Sequence, residues 1–451
     1  MDELHKEYER LMCEGRASEH ILDAVFRELA NKPIYIYGAL GRTAKLLISR
    51  LNELGIPIKS GFDRRGNSTL SNGLNVVVKP PERVFELSPE DVLILAAGSA
   101  ELFHSMQCEV DKFSTGMGPK IIDGRKLTYV LQNLHCANLA REEMHENVMT
   151  CIGYHTKPFK CEYFMRLTEK LASNEIPQDV QADGSTFNSV GYLISEWCNL
   201  KCAQCCEAVP YLDSKEVVSI DEIVADLKKL TASIKFLHRL DIVGGEPFAH
   251  RNITAIIKEI SKLPGIGYIA VFTNGTIMPS DELCAALVSE RIIVTNSDYS
   301  HSLSDSMKER INNTIEKLKR HGVKVVQIAD RYWFDLIHFQ RNAVNDQELE
   351  KNYADCFLES CRRLYRGTLF HCAVQANGIK LGRIPKTNVV ELHAAGTEEI
   401  RRQLETFESE RFIESCRYCA LPVGAKEVQA AMQLKDSEIR TRQKQLDAST
   451  V

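Results

Sequence analysis

No stretch of about 18 uncharged apolar residues occurs in this sequence, so no membrane-spanning helix is expected. The opening MDELHKEYERLMCEGRASEH is charged and lacks the apolar core of a secretory signal. Basic residues are not in excess either. Against 61 Asp and Glu stand 56 Lys and Arg, and the net charge of -5 gives no electrostatic reason to expect nucleic acid or an anionic membrane as partner. These absences point to a cytoplasmic protein. What the chain has in quantity is cysteine, 15 in all. The cytosol keeps thiols reduced and a chain of this size needs no staples, so ligands and core residues are expected rather than disulfides. At 451 residues, two or three domains are expected, taking about 150 residues for each.

A helical lead-in (1–31) precedes Pro33 and the buried-strand pattern Ile34 to Tyr37. Gly38-Ala-Leu-Gly41-Arg-Thr-Ala44 and an amphipathic run follow, which is the strand, glycine turn and helix that open a Rossmann-like unit. A second strand, Ile56 to Phe62, ends at Asp63, where dinucleotide folds often place a ribose-binding acid. Strands at Leu74 to Val78, Asp91 to Ala96 and Lys120 to Ile122 complete a Rossmann-like domain over 32–124. Gly38, Gly41 and Asp63 are candidate nucleotide-binding residues; the glycines serve equally well as a tight turn. A helical connector (125–184) carries Cys136, Cys151 and Cys161 at spacings too irregular for a ligand set.

A second α/β series starts near Ser189. Its first apolar run ends in Cys198-x3-Cys202-x2-Cys205, three thiolates on one short loop. Thiolates are the soft ligands that iron-sulfur clusters take, and three of them leave one iron of a cubane open. Ser219-Ile-Asp-Glu222 is a capping box for the next helix. Strands then end at Gly244-Gly-Glu-Pro247, at Thr273-Asn-Gly275 and at Ser297-Asp-Tyr299, and a further one covers Val323 to Ile328. Five βα repeats of similar length predict parallel strands curved into a partial barrel over 185–345, with the motifs at strand C-terminal ends.

The cysteine loop, GGEP and TNG at successive strand ends resemble the radical S-adenosylmethionine (SAM) superfamily. That resemblance implies a [4Fe-4S] cluster on Cys198, Cys202 and Cys205, with SAM bound by Gly244, Gly245, Glu246, Thr273 and Asn274. Where the family usually carries an aromatic residue near adenine, this chain has Gln204. Tyr211, Ser297, Tyr299, Trp333 and Asp335 are candidates to face substrate; for the aromatic ones, wall packing is the competing reading.

Cysteines return in 346–425. Cys356, Gly367, Cys372 and the pair Cys416-Arg-Tyr-Cys419 are similar to the auxiliary-cluster extension called SPASM, or twitch in its short form. The resemblance implies a second [4Fe-4S] cluster on Cys356, Cys372, Cys416 and Cys419, with Cys361 as an alternative first ligand. A four-cysteine zinc site is the rival. Gly367 to Cys372 and Gly378 to Gly382 read as the two strands of a hairpin, and 426–451 as a polar helical tail. The implied function is reductive cleavage of SAM to a 5'-deoxyadenosyl radical that oxidises or epimerises a sugar, aminocyclitol or nucleotide-sugar carbon. An electron donor such as flavodoxin or ferredoxin would be the partner. A radical SAM maturase of peptides and a zinc-stabilised binding protein are the alternatives.

Overall fold

A computed structural model describes residues 6, 20–39, 42–64, 66, 68–70, 76–97, 100–113, 118–137, 185–212, 216–328, 332–337, 339–354, 356, 358 and 361–448. The chain divides into two compact units, Met1–Met165 and Arg166–Val451. Among the described residues no helix is long and apolar enough to cross a membrane.

The first unit runs α1 (Ile21–Leu29), β1 (Ile34–Tyr37), α2 (Arg42–Glu53), β2 (Ile58–Phe62), β3 (Ser68–Leu70), β4 (Val76–Lys79), β5 (Val92–Leu95), α3 (Ala100–Phe113), β6 (Lys120–Asp123) and α4 (Gly124–Ala137). Its six strands lie in the order β3-β4-β2-β1-β5-β6. All neighbours are parallel except β3 and β4. Every side chain of Ile-Tyr-Ile-Tyr in β1 is buried, because helices cover both faces of the sheet. Ile34 and Ile36 join one core with residues of α1, α2 and α4, whereas Tyr35 and Tyr37 join another with Val110 of α3.

With the antiparallel β3 set aside, the strand order reverses between β1 and β5, as in doubly wound sheets. The edge strand β3 has no counterpart in the sequence reading. Nor is 125–137 a connector: α4 packs on α2, where Arg50 donates to Gln132 at 2.9 Å and His135 lies 2.9 Å from Glu53. The rest of the expected connector, with Cys151 and Cys161, lies outside the described residues, as do Gly41 and the side chain of Cys136.

The second unit opens with β7 (Thr186–Leu193), α5 (Ile220–Ser233), β8 (Phe236–Val243), α6 (Ile253–Ile260), β9 (Ile266–Thr273), α7 (Asp281–Leu287), β10 (Ile292–Ser297), α8 (Asp305–Arg320) and β11 (Val325–Ile328). Sequence chemistry accounts for these elements. Ser219 caps α5 by accepting from Glu222 N at 3.2 Å, and Asp221 and Glu222 complement the positive end of the helix. Helix α6 buries Ile253, Ile256, Ile257 and Ile260 along one stripe, each contributing about 1.5–3 kcal/mol of apolar burial. Gly322, at φ +78°, takes the left-handed position that stops α8.

Beyond β11 come β12 (Tyr332–Phe334), α9 (Asp346–Ala354), β13 (Arg362–Tyr365), β14 (Thr368–Phe370), α10 (Ala373–Lys380), β15 (Val390–Glu391), α11 (Thr397–Ser409), β16 (Glu427–Gln429) and α12 (Asp436–Ala448). The large sheet has the order β11-β10-β9-β8-β7-β13-β14-β15. Five consecutive parallel strands thus form the expected series, and a sixth parallel strand, β13, joins at the opposite edge, beside β7.

Residues expected in a separate extension therefore continue the barrel's own sheet. The hairpin there is β13-β14, turned by Arg366 and Gly367 at φ +48° and +72°, the backbone of a two-residue type I′ turn. This corrects the expected hairpin: Gly378 lies inside α10, and Cys372 is that helix's N-cap, its sulfur accepting from Gln375 N. A polar helical tail is corrected as well. Its first residues form β16, antiparallel to β12, and only Asp436–Ala448 is helical.

Candidate active site

The site is built on the C-terminal ends of β7, β8 and β9. Gly245 N donates to Ser195 O at 2.7 Å and Glu246 N to Trp197 O at 2.8 Å, so the segment after β8 lies directly against the chain leading into Cys198. Only glycine permits this approach. A Cβ on Gly245 would stand 1.9 Å from the Trp197 carbonyl oxygen, and one on Gly244 would stand 2.6 Å from that of Ser195.

Glu246 is fully buried among three donors. Thr273 Oγ1 and Phe248 N donate to one carboxylate oxygen at 2.6 and 3.0 Å, and Asn274 N donates to the other at 2.8 Å. Burial pushes this carboxyl up to about 7, against the three donors that hold it down. Its visible work is to tie the GGEP segment to the TNG segment. Asn274 carries the link onward, its side-chain amide donating to Asn199 Oδ1 at 3.1 Å and reaching Cys198 Sγ at 3.8 Å. Asn199, unremarked in the sequence, donates in turn to Thr276 at 2.7 Å.

The three loop thiols each meet a hydrogen-bond donor. Cys198 Sγ accepts from Leu200 N at 3.4 Å, Cys202 Sγ from the Gln433 side chain at 3.2 Å, and Cys205 from Val209 N. Burial raises all three, Cys198 to about 12, so metal loading releases protons. Donors aimed at sulfurs on one loop, against glycine backbone, fit a thiolate-bound cluster. Among the described residues no group of three or more His, Cys, Asp or Glu converges on a single-ion site. A cubane sets no such requirement, since each cysteine binds a different iron.

Around the loop, Tyr299 and Trp333 stand edge to face, centroids 5.3 Å apart, in one apolar group with Leu200, Cys198, Cys202 and Cys205. Ser297 hydrogen-bonds to Tyr299. Tyr211 is buried beneath the loop and donates to Ala203 O at 2.5 Å, so its hydroxyl holds the loop rather than facing a cavity. Asp335 pairs with Arg442 at 3.0 Å. Oriented with its oxygen toward that same guanidinium, the Gln204 amide accepts at 2.6 and 3.1 Å.

Two largely buried ion pairs fasten the loop to the hairpin and to α10. Arg363 meets Glu207 at 2.9 Å, and Lys380 meets Glu196 at 2.7 Å. Asn377 adds a 2.8 Å bond to Cys206 O. Gly191 makes room for Arg363, whose Nη1 would lie 2.7 Å from a Cβ there.

The later cysteines gather in a second place. Burial, and then the charge of Cys419, Cys372 and Cys416, pushes the Cys356 thiol well up. Cys361 instead neighbours Cys206 and Arg363, as well as Cys372. Cys416 is raised to about 12, chiefly by burial.

In the first unit, Gly38 stands at φ +75° at the C-terminal end of β1, beside the order reversal. Its N-H and that of Ala39 both donate to Phe62 O, at 2.8 and 3.1 Å. Asp63 is buried at the end of β2.

The three thiols stand at the mouth of a βα half-barrel, and residues 192–333 match the family described as Radical SAM superfamily. The chain carries a radical SAM domain in residues 192–333, and the cofactors of that superfamily are a [4Fe-4S] cluster and SAM. It is 30% identical over 134 residues to a GTP 3',8-cyclase of Alkaliphilus oremlandii, covering 29% of this chain and 36% of that one. It is 25% identical over 142 residues to a GTP 3',8-cyclase of Moorella thermoacetica, covering 31% and 38%. The chain thus spans little more than a third of the length of these curated relatives. Among solved structures, BtrN in complex with AdoMet and 2-DOIA is similar at 15% identity and a TM-score of 0.33, covering 52% of this chain and 92% of that one.

Proposed function

We propose that this chain is a radical SAM enzyme that oxidises or epimerises a carbon of a sugar, an aminocyclitol or a nucleotide-linked sugar. The observation that carries the radical chemistry is the loop of Cys198, Cys202 and Cys205, with a donor at each sulfur and the Gly244–Glu246 backbone against it. Cys198, Cys202 and Cys205 would hold the cluster, which would supply the electron for reductive cleavage of SAM and so the radical chemistry on substrate.

The protein's part is position and exclusion of water. Gly244, Gly245, Glu246, Thr273 and Asn274 line the SAM site, and Asn274 and Asn199 brace the loop from the β9 side. Tyr299 and Trp333 form an apolar wall next to the thiols, with Ser297 behind Tyr299. Cys356, Cys372, Cys416 and Cys419 would hold an auxiliary [4Fe-4S] cluster, and with four protein ligands it would supply electron transfer.

Two observations favour a nucleotide-linked substrate: the doubly wound strand order of the first unit, with Gly38 and Asp63 near its reversal, and the GTP named in the relatives' activity. The electron donor is of the flavodoxin or ferredoxin kind.

Anaerobic reconstitution followed by metal analysis and a SAM-cleavage assay tests this reading. About eight irons per chain and 5'-deoxyadenosine formation are expected, from two cubanes of four irons each. Stoichiometric zinc without SAM cleavage would sink it.

A further inference from the structure

The segment after β16 reaches the cysteine loop from the far end of the chain. Ala203 N donates to Met432 O at 2.8 Å and Leu434 N to Lys201 O at 2.9 Å, so Gln433 pairs with Cys202 as in an antiparallel ladder. The segment is anchored on both sides. Ser302 Oγ donates to Ala430 O at 2.7 Å before it, and Lys201 pairs with Asp436 at 2.6 Å after it. Ala430 and Ala431 are fully buried.

Within this strap the Gln433 side chain is completely committed. Its oxygen accepts from Lys201 N at 2.8 Å, which fixes the amide's orientation. Its nitrogen then has two hydrogens to place, one on Ala431 O at 2.7 Å and one on Cys202 Sγ at 3.2 Å. Cys205 takes its hydrogen bond from nearby backbone, and Cys198 from backbone and the more distant Asn274. Cys202 alone of the three takes a close side-chain donor, from 231 residues away.

A hydrogen bond to a ligand thiolate draws negative charge from the sulfur and stabilises the reduced, more negative form of a cluster. Resting on the functional reading above, we infer that Gln433 is a positioning residue that raises the reduction potential of the SAM-binding cluster, so that the C-terminal strap sets how readily that cluster accepts its electron. Gln433 touches neither substrate nor SAM in this role; it acts through Cys202.

The test is an EPR-monitored redox titration of the reconstituted 451-residue chain, following the signal that changes when SAM is added. Gln433→Leu removes the donor. Gln433→Glu keeps an acceptor for Lys201 N and turns a negative oxygen toward the sulfur. Gln429→Leu, at the end of β16 just before the strap, where its amide donates to Ser302 Oγ at 3.0 Å, is the control. The potential is expected to fall in Gln433→Leu, to fall further in Gln433→Glu and to stay put in Gln429→Leu, with iron content retained. Full iron with an unchanged potential in both Gln433 variants overturns the inference. So does loss of the cluster from both, which would make Gln433 a structural residue only. A wild-type protein that binds no iron overturns the functional reading itself, and this inference with it.

Discussion

Thr273 donates a 2.6 Å hydrogen bond to Glu246 across the gap between the ends of β9 and β8. Together with the bond from Asn274 N, it makes one buried carboxylate the joint between two motifs that lie 27 residues apart in the chain.

That joint has a pH signature. The carboxyl's ordinary value of 4.5 rises to about 7 on folding, so the folded, cluster-free chain holds a proton that the unfolded chain has released. Its contribution to stability is therefore fully present below the unfolded value and is lost as pH rises from 4.5 through about 7, by at most about 3 kcal/mol. Denaturant melts of wild type and Glu246→Gln between pH 5 and pH 8, about the window those values define, should show wild type losing more stability than the variant. Parallel curves would remove the protonated carboxyl.

The second group of cysteines separates two candidates for one ligand. Cys356→Ala should halve the iron from about eight to about four per chain, whereas Cys361→Ala should leave it whole. Cys198→Ala should instead abolish SAM cleavage while the auxiliary signal persists. Mössbauer spectra and iron analysis decide, and equal loss in the Cys356 and Cys361 variants would contradict the assignment.

Glu196 is buried and Lys380 is largely so, their side chains 4% and 12% exposed. Removing the cation leaves a buried carboxylate with no opposite charge, only the hydrogen bonds from Glu216 N and Tyr365, so Lys380→Met should destabilise the second unit by about 3–5 kcal/mol. The double variant Lys380→Met with Glu196→Leu should recover most of that in the same thermal melts, because no unpaired charge remains.

Gly245→Ala puts a methyl group onto the Trp197 carbonyl, which is backbone and cannot rotate away. A cost of about 1–3 kcal/mol is expected, with the cysteine loop displaced. Its readout is cluster occupancy after reconstitution, expected well below wild type while circular dichroism stays native. Full occupancy would show that the loop yields more easily than its contacts suggest.

Most of the barrel was legible along the chain. Alternating apolar runs and capped helices announced β7 to β11, because parallel strands covered on both faces are largely apolar and helix caps are local chemistry. The cysteine spacing and GGEP were legible for the same reason: the residues that meet are neighbours in sequence or end successive strands. Reading stopped where partners are remote. Nothing in Arg362–Tyr365 marks it as the strand that adds beside β7, since a half-barrel has two open edges and only packing selects one. Nothing in the tail marks Gln433 as the donor to Cys202. By itself the sequence determined the cysteine loop and the superfamily it resembles. Tertiary structure alone decided which backbone presses on that loop and which distant side chain touches its sulfur, because those contacts depend on where the chain returns.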